Sequence, residues 1–333
     1  MSTATRTDWT DLADQVLAGD AIDRSQAMAV LESGDDELLA VLDAAFRVRR
    51  HHFGRAVKVH VLKNAKSGMC PEDCAFCSQS AHFARDTATA AYKLQDVDDL
   101  VAGAREAAAM GAHTYCMVTA TRGPSAKDLA TVCEAVRRIK ATTSLRVCTS
   151  LGLLAEGQAE ALAAAGVDRY NHNLETSERH FPSVCTTHAW SDRTATIRRA
   201  RSAGMEGCCG GIVGLGESLA DRVDLAFALR DLEVESVPVN FLNSRPGTPL
   251  AGTPEVTPQE ALRALALMRL VHPASDVRAA GGREVVLRAL APLALYAANS
   301  IFTRGYLTTP GAEPSDDLRM IRDAGFEPVV VDA

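Results

Sequence analysis

The chain has 333 residues, 47% apolar and 23% charged. This ordinary globular composition excludes a disordered polymer and suits about two domains or one large α/β barrel. Its 35 Lys and Arg against 42 Asp and Glu leave a net charge of −7. Without a basic block, that surface is a poor match for nucleic acid or for an anionic membrane. No apolar run approaches the ~20 residues of a membrane helix; residues 262–271 are short and carry Arg263 and Arg269. Residues 1–20 contain no apolar h-region, so no secretory leader is read there. Nine cysteines in such a chain point to metal or redox chemistry in the cytoplasm, not to a disulfide framework.

Residues 1–50 read as a polar helical extension. Apolar side chains recur at helical spacing over 12–17, 25–31 and 36–47, with Ser25 and Asp35 as N-caps. Residues 51–333 read as one domain of alternating short strands and Ala-rich amphipathic helices. Strands are expected at 57–62, 114–119, 145–150, 169–173, 206–213, 236–242, 276–280 and 299–302. Helices are expected at 97–110, 127–141, 156–165, 192–203, 219–232 and 258–271. Gly111, Gly166 and Gly204 each follow an Ala-rich helix at the position where glycine ends helices, and "AAAMGAHTY", "LAAAGVDRY" and "ARSAGMEGC" repeat that helix–Gly–strand pattern. Eight such strands predict an α/β fold, a (β/α)8 TIM-type barrel with an N-terminal helical extension. A doubly wound sheet is the alternative, but the first strand leads into a long cysteine-bearing loop instead of a G-x-G-x-x-G phosphate turn.

That loop holds Cys70-Pro-Glu-Asp-Cys74-Ala-Phe-Cys77, a C-x3-C-x2-C cluster. Three thiolates this close can wrap one metal centre, whereas a disulfide would strand the third. A structural zinc site would need a fourth ligand, for which His82 is nearest in sequence. A four-iron cluster held by three cysteines keeps one iron open, as a catalytic metal does.

The C-x3-C-x2-C loop with an aromatic residue before its last cysteine resembles the radical S-adenosylmethionine superfamily. Within it, "GMCPEDCAFCSQS" (68–80), "YNHNLETS" (170–177), "GGIVGLGES" (210–218), "VPVNFLNSRPGTPL" (237–250), "VRAAGGRE" (277–284) and "ANSIF" (298–302) together resemble the biotin synthase family over about 55–310. The resemblance implies a [4Fe–4S] cluster on Cys70, Cys74 and Cys77 that cleaves S-adenosylmethionine reductively. It also implies dethiobiotin as substrate and a second, [2Fe–2S] cluster that gives up sulfur.

Cys116, Cys148 and Cys208 fall in predicted strands 32 and 60 residues apart, and Arg278 follows 70 residues later. With βα units of about 30 residues, these four side chains can converge inside a barrel. Taken singly, each cysteine is better explained as a small buried hydrophobe, the reading kept for Cys133 and Cys185. The resemblance makes Cys116, Cys148, Cys208 and Arg278 the ligands of the [2Fe–2S] cluster. Adjacent Cys209 must face the other way in a strand. Thr114 stands where some relatives carry arginine, which leaves the type of the second cluster open.

Asn171, Asn173 and Glu175 end the fourth strand, on the face where barrel active sites lie. Strand-end asparagines also commonly cap turns. By resemblance, Asn173 and Glu175 serve the ribose of S-adenosylmethionine and Arg193 its methionine carboxylate, a good task for a bidentate guanidinium. Asn171, Asn173 and Asn240 are the expected contacts of the dethiobiotin ring, and His172, at the opposite parity, is structural. Gly210, Gly211, Gly214 and Gly216 with Glu217 read as close backbone approach to the cofactor, a phosphate loop being the weaker reading. The resemblance further implies a homodimer and an electron donor such as flavodoxin or ferredoxin. Two rivals remain: another radical enzyme, which would not need the barrel trio with Arg278, and an iron sensor, which would not need the polar strand ends.

Overall fold

The computed structural model describes residues 7–308, 311 and 313–329; the first six residues of the segment read for a leader lie outside these. Three helices open the chain: α1 (Trp9–Leu17), α2 (Arg24–Glu32) and α3 (Leu38–Phe53). Two cap expectations are corrected. Asp23, not Ser25, caps α2, in a reciprocal box with Gln26 (Gln26 N–H to Asp23 2.8 Å, Asp23 N–H to Gln26 2.9 Å). Asp35 does not cap α3 but pairs with Arg263 at 2.5 Å.

The remaining elements are β1 (Ala56–Lys66), the short α4 (Ala84–Thr87), α5 (Val97–Ala109), β2 (Thr114–Thr119), α6 (Ala126–Thr142), β3 (Arg146–Ser150), α7 (Gln158–Ala165), β4 (Arg169–Asn171), α8 (Trp190–Ser202), β5 (Glu206–Cys208), β6 (Gly211–Val213), α9 (Leu219–Asp231), β7 (Ser236–Phe241), α10 (Pro258–Val271), β8 (Asp276–Ala279), α11 (Arg283–Leu287), β9 (Ser300–Thr303), α12 (Pro314–Asp323) and β10 (Glu327–Val329). The strands pair in parallel in the order β1-β2-β3-β4-β5-β7-β8-β9, and β9 returns to β1. The eight-stranded barrel is therefore closed. β10, which periodicity did not reveal, pairs with Ala56–Lys58 at the start of β1.

The predicted strand 206–213 is two strands on one register. Cys208 faces Ser236 and Gly211 faces Val239, so the break falls opposite Val237 and Pro238. Pro238 has no N–H for the ladder, and on the opposite edge the Gly210 N–H goes to the Asn173 side chain at 3.2 Å. The predicted fourth strand, 169–173, is shorter too: the chain leaves the sheet after Asn171, which puts Asn173 and Glu175 on a loop.

The apolar shell lies between strands and helices, and α1–α3 share it with α9 and α10. Arg269, in the segment whose charges argued against a membrane helix, is fully buried and donates to the carbonyls of His272, Pro273, Ser275 and Ala297 and to Asn299. It satisfies the turn that joins α10 to β8. Among the described residues, no helix is long and apolar enough to cross a membrane.

Candidate active site

Alternation along the strands decides which side chains enter the barrel. Leu62, Cys116 and Cys148 lie side by side on β1, β2 and β3; Asn171 faces Cys208 across β4 and β5. Arg278 of β8 reaches across to place Nη1 3.7 Å from Cys208 Sγ and Nη2 3.1 Å from Ser236 Oγ. Cys208 lines the central cavity, while Cys209 is buried in the outer shell with Leu174 and Ile197. Parity thus separates the adjacent pair as period-two geometry requires.

Below this layer is a buried ion network. Asp276 accepts from Ser300 Oγ (2.5 Å) and Asn299 Nδ2 (3.3 Å), and its other oxygen lies 3.2 Å from Arg169 Nη1 and 3.7 Å from Arg278 Nη2. Burial pushes its carboxyl up, but Arg278, Arg169, His60 and Lys58 outweigh that and hold it well below the usual carboxylate range. Arg169 is also held by Glu206 at 2.6 Å.

Above it, the loop after β1 presents Cys70, Cys74 and Cys77 to the same cavity of ≈ 280 Å³. Backbone bonds shape the loop: Cys70 N–H to Gln79 O (3.0 Å), Ala81 N–H to Cys70 O (2.7 Å) and Cys77 N–H to Cys74 O (2.9 Å). Gly68 at φ 69° and Met69 at φ 56° make the entry turn, and an added Cβ on Gly68 would meet Ala91 at 2.8 Å. Burial pushes the Cys77 thiol up to about 11 and raises Cys70 as well; Cys74 is raised well above 9, first by its bond to Cys185 and then by burial. Left without a metal, these are protonated thiols. His82, the zinc alternative, turns to Pro71 O at 3.1 Å.

Between the two cysteine sets sit the polar strand ends. Asn171 Nδ2 is 3.3 Å from Cys208 Sγ and 3.3 Å from Asn173 Oδ1. Arg193, on the first turn of α8, donates to Asn173 O (2.7 Å), Glu175 Oε1 (3.3 Å) and His188 Nε2 (2.9 Å), and its Nη2 lies 3.7 Å from Cys74 Sγ. Glu175 adopts φ 68° and is buried, and Oε2 has no partner among the described residues. Burial raises its pKa despite Arg193. A strained, desolvated carboxylate with one free oxygen is what a bound hydroxyl would satisfy. Asn240 spans two backbones, donating to Gly211 O (3.1 Å) and accepting from Gly281 N–H (2.9 Å). His172 is buried at the lumen edge, its N–H bonded to Cys208 O at 3.0 Å.

The glycine-rich string is reread. A Cβ on Gly210 would lie 1.9 Å from Pro238 O, and one on Gly211 2.5 Å from Leu225 Cδ2 and 2.6 Å from Glu175 O, so the close approach at these two glycines is to β7, to α9 and to the loop after β4. Gly214 N–H is held by Glu217 at 2.9 Å.

Sequence reasoning missed Cys185. It follows a 3₁₀ turn (Phe181–Ser183) and lies 3.8 Å from Cys74 Sγ, with Asp73, Thr187 and His188 within 3.4 Å. His188 bonds Glu72, and ligand atoms of Glu72, Cys185 and His188 all lie within 4.8 Å of one another. The Cys185-x-x-His188 spacing was the available signal.

A parallel barrel carrying a three-cysteine loop at the C-terminal end of its first strand defines the class: a radical S-adenosylmethionine enzyme. Residues 65–229 match the Radical SAM superfamily model and 238–327 the Biotin and Thiamin Synthesis associated domain. The chain is 63% identical over 326 residues to a biotin synthase of Salinibacter ruber, covering 98% of this chain and 90% of the relative. It is 48% identical over 319 residues to one of Geobacillus thermodenitrificans, covering 96% of each. Among solved structures, methylornithine synthase superposes with a TM-score of 0.82 at 19% identity, over 95% of this chain and 97% of that one, a likeness of fold. The chain belongs to the biotin synthase family, radical enzymes that insert sulfur into dethiobiotin to form biotin.

Proposed function

We propose that this chain performs that sulfur insertion in one cavity. Cys70, Cys74 and Cys77 would hold a [4Fe–4S] cluster at the mouth, and Cys116, Cys148, Cys208 and Arg278 would hold a [2Fe–2S] cluster below. When bound, the first supplies the electron that cleaves S-adenosylmethionine and the second supplies sulfur. The observation that carries the reading is that both thiol sets line one cavity with Asn171, Asn173, Glu175, Arg193 and Asn240 between them.

In this reading the protein positions reactants and excludes water. Glu175 Oε2 would accept from ribose hydroxyls with Asn173 beside it. Arg193, oriented by its bonds to Asn173 O and His188, would turn Nη2 towards the methionine carboxylate. Asn171 and Asn173, with the lone pair and N–H that Asn240 has left over, would hold the dethiobiotin ring near Cys208. Arg278 is an unusual metal ligand because a guanidinium normally stays protonated. Here it lies between Asp276 and Cys208, fully buried, and its Nε has no partner among the described residues. A homodimer, a cytoplasmic location and an electron donor such as flavodoxin or ferredoxin complete the proposal, with the N-terminal helices as an extension on one barrel domain.

Anaerobic reconstitution tests it. Wild type should take up iron and sulfide for both clusters and convert dethiobiotin. Cys70→Ala, Cys74→Ala and Cys77→Ala should lose the [4Fe–4S] spectrum and release no 5′-deoxyadenosine. Wild-type 5′-deoxyadenosine release by any of the three would remove that residue from the ligand set.

A further inference from the structure

We propose that Cys74 and Cys185 form a reversible disulfide in the cluster-free chain, and that this bond withdraws Cys74 from iron binding. The second half rests on the reading of Cys74 as a cluster ligand; the first does not.

The two segments are held against each other on both sides of the sulfurs. Before Cys74, the Asp73 carboxylate accepts from Thr186 N–H (2.9 Å) and Thr187 N–H (3.2 Å). After it, Ala75 N–H donates to Val184 O at 2.8 Å. Residues 73 and 75 are therefore tied to residues on either side of Cys185, and the sulfurs face each other at 3.8 Å. A disulfide needs about 2.05 Å, a closure small enough for side-chain rotation. Both sulfurs are buried beside Phe181, and Cys74 is reached through the cavity that it lines.

Cys74 lines the cavity, which gives a small peroxide a way to the pair. One of the two sulfurs takes one peroxide oxygen to become a sulfenic acid, and water leaves. The other sulfur then attacks it, forming the S–S bond and releasing a second water. The two thiols give up two electrons and two protons, and hydrogen peroxide takes them up. A dithiol reverses the reaction by exchange. While the bond lasts, the loop offers iron only Cys70 and Cys77. Oxidation is thereby stored in a reducible bond instead of proceeding to irreversible sulfinic acid.

Trypsin separates the two partners: residues 67–85 carry Cys70, Cys74 and Cys77, and residues 180–193 carry Cys185. Cluster-free protein prepared without oxygen is treated with one equivalent of hydrogen peroxide, alkylated, digested and analysed by mass spectrometry. The expected main disulfide joins 67–85 to 180–193, with fragment ions assigning it to Cys74. Iron uptake should fall at least tenfold and return after dithiothreitol. Cys185→Ser should lose the cross-link, yet when reduced it should take up iron as wild type does, which shows it folded. The disulfide is refuted if Cys185 stays alkylatable after peroxide, or if Cys74 pairs within 67–85. Normal [4Fe–4S] uptake by reduced Cys74→Ala would overturn the ligand reading and the iron-uptake consequence, and leave the cross-link result standing.

Discussion

Asp276→Asn is the substitution whose cost can be worked most directly from the barrel floor. It keeps the volume and the acceptor for Ser300 and Asn299 but removes the charge between two buried guanidiniums. Arg169 keeps Glu206, whereas Arg278 is left with the Ser236 hydroxyl at 3.1 Å and the Cys208 sulfur at 3.7 Å. An amide NH2 facing those cations adds an unfavourable contact. Removing one partner of a buried ion pair costs about 3–5 kcal/mol, roughly a 10²- to 10⁴-fold fall in the folded-to-unfolded ratio at about 1.4 kcal/mol per decade. Ser300→Ala, which removes one neutral donor, should cost only about 1 kcal/mol.

Equilibrium unfolding of the reduced, cluster-free chain reads both, and pH supplies an independent arm. The Asp276 carboxyl is held well below its ordinary value in the folded chain, so its contribution is full above the unfolded value near 3.9 and is lost as pH falls towards the folded one. The gap between wild type and Asp276→Asn should therefore be constant near neutrality. Below about pH 4 it should shrink by about 1.4 kcal/mol per pH unit. A variant within about 0.5 kcal/mol of wild type, or a gap that widens in acid, would falsify the view that this carboxylate neutralises the two guanidiniums.

Other outcomes follow from the same geometry. Cys208→Ser should disturb the second cluster and abolish biotin while some 5′-deoxyadenosine is still released, whereas Cys209→Ser should stay near wild type; Mössbauer spectra beside product yield decide. Asn240→Ala should weaken dethiobiotin binding about 5- to 150-fold, the equivalent of 1–3 kcal/mol, and also lower the unfolding midpoint, because Gly211 O and Gly281 N–H lose their partner; calorimetric titration and melting separate the two. Arg193→Lys should weaken S-adenosylmethionine binding at least tenfold by equilibrium dialysis, since an ammonium whose three donors serve Asn173 O, Glu175 and His188 has none left for the methionine carboxylate. Gly210→Ala should yield little folded protein, because its Cβ would overlap Pro238 O at 1.9 Å.

The parts of this fold that were legible in the sequence are those fixed by local periodicity and turn chemistry. Residues 114–119 and 258–271 were read to the residue because glycine or a Thr-Pro cap bounds each of them. The break at Cys209–Gly210 was not legible, since its cause is Pro238 on another strand. The α2 cap was misread because Asp23 and Ser25 are both good caps, and only the Gln26 box decides between them. The cysteine loop was readable because its spacing is local. The roles of Asn171, Asn173, Glu175, Arg193 and Asn240 came from resemblance, and what the structure adds is their mutual engagement. Cys185 meets Cys74 across 111 residues, and because both lie in loops, the βα-unit spacing that aligned the strand cysteines does not bring them together.

The electrostatics of the lumen explain why this barrel tolerates so much buried charge. Arg169 and Arg278 bring two cations to the floor, while Glu206 is half-exposed and Asp276 alone is deeply buried between them. With protonated thiols, the Cys208 layer is left with excess positive charge. That excess makes a thiolate at Cys208 or Cys148 less costly: Arg278 and Arg169 both pull the Cys208 thiol down, and Arg169 does so at Cys148. A metal centre on deprotonated sulfur would supply the missing anions. Both thiols still stand well above 9, Cys208 first through its bond to Cys148 and Cys148 first through its bond to Cys116, with burial adding to each; the guanidiniums offset part of that, and the single carboxylate of Asp276 holds them in place.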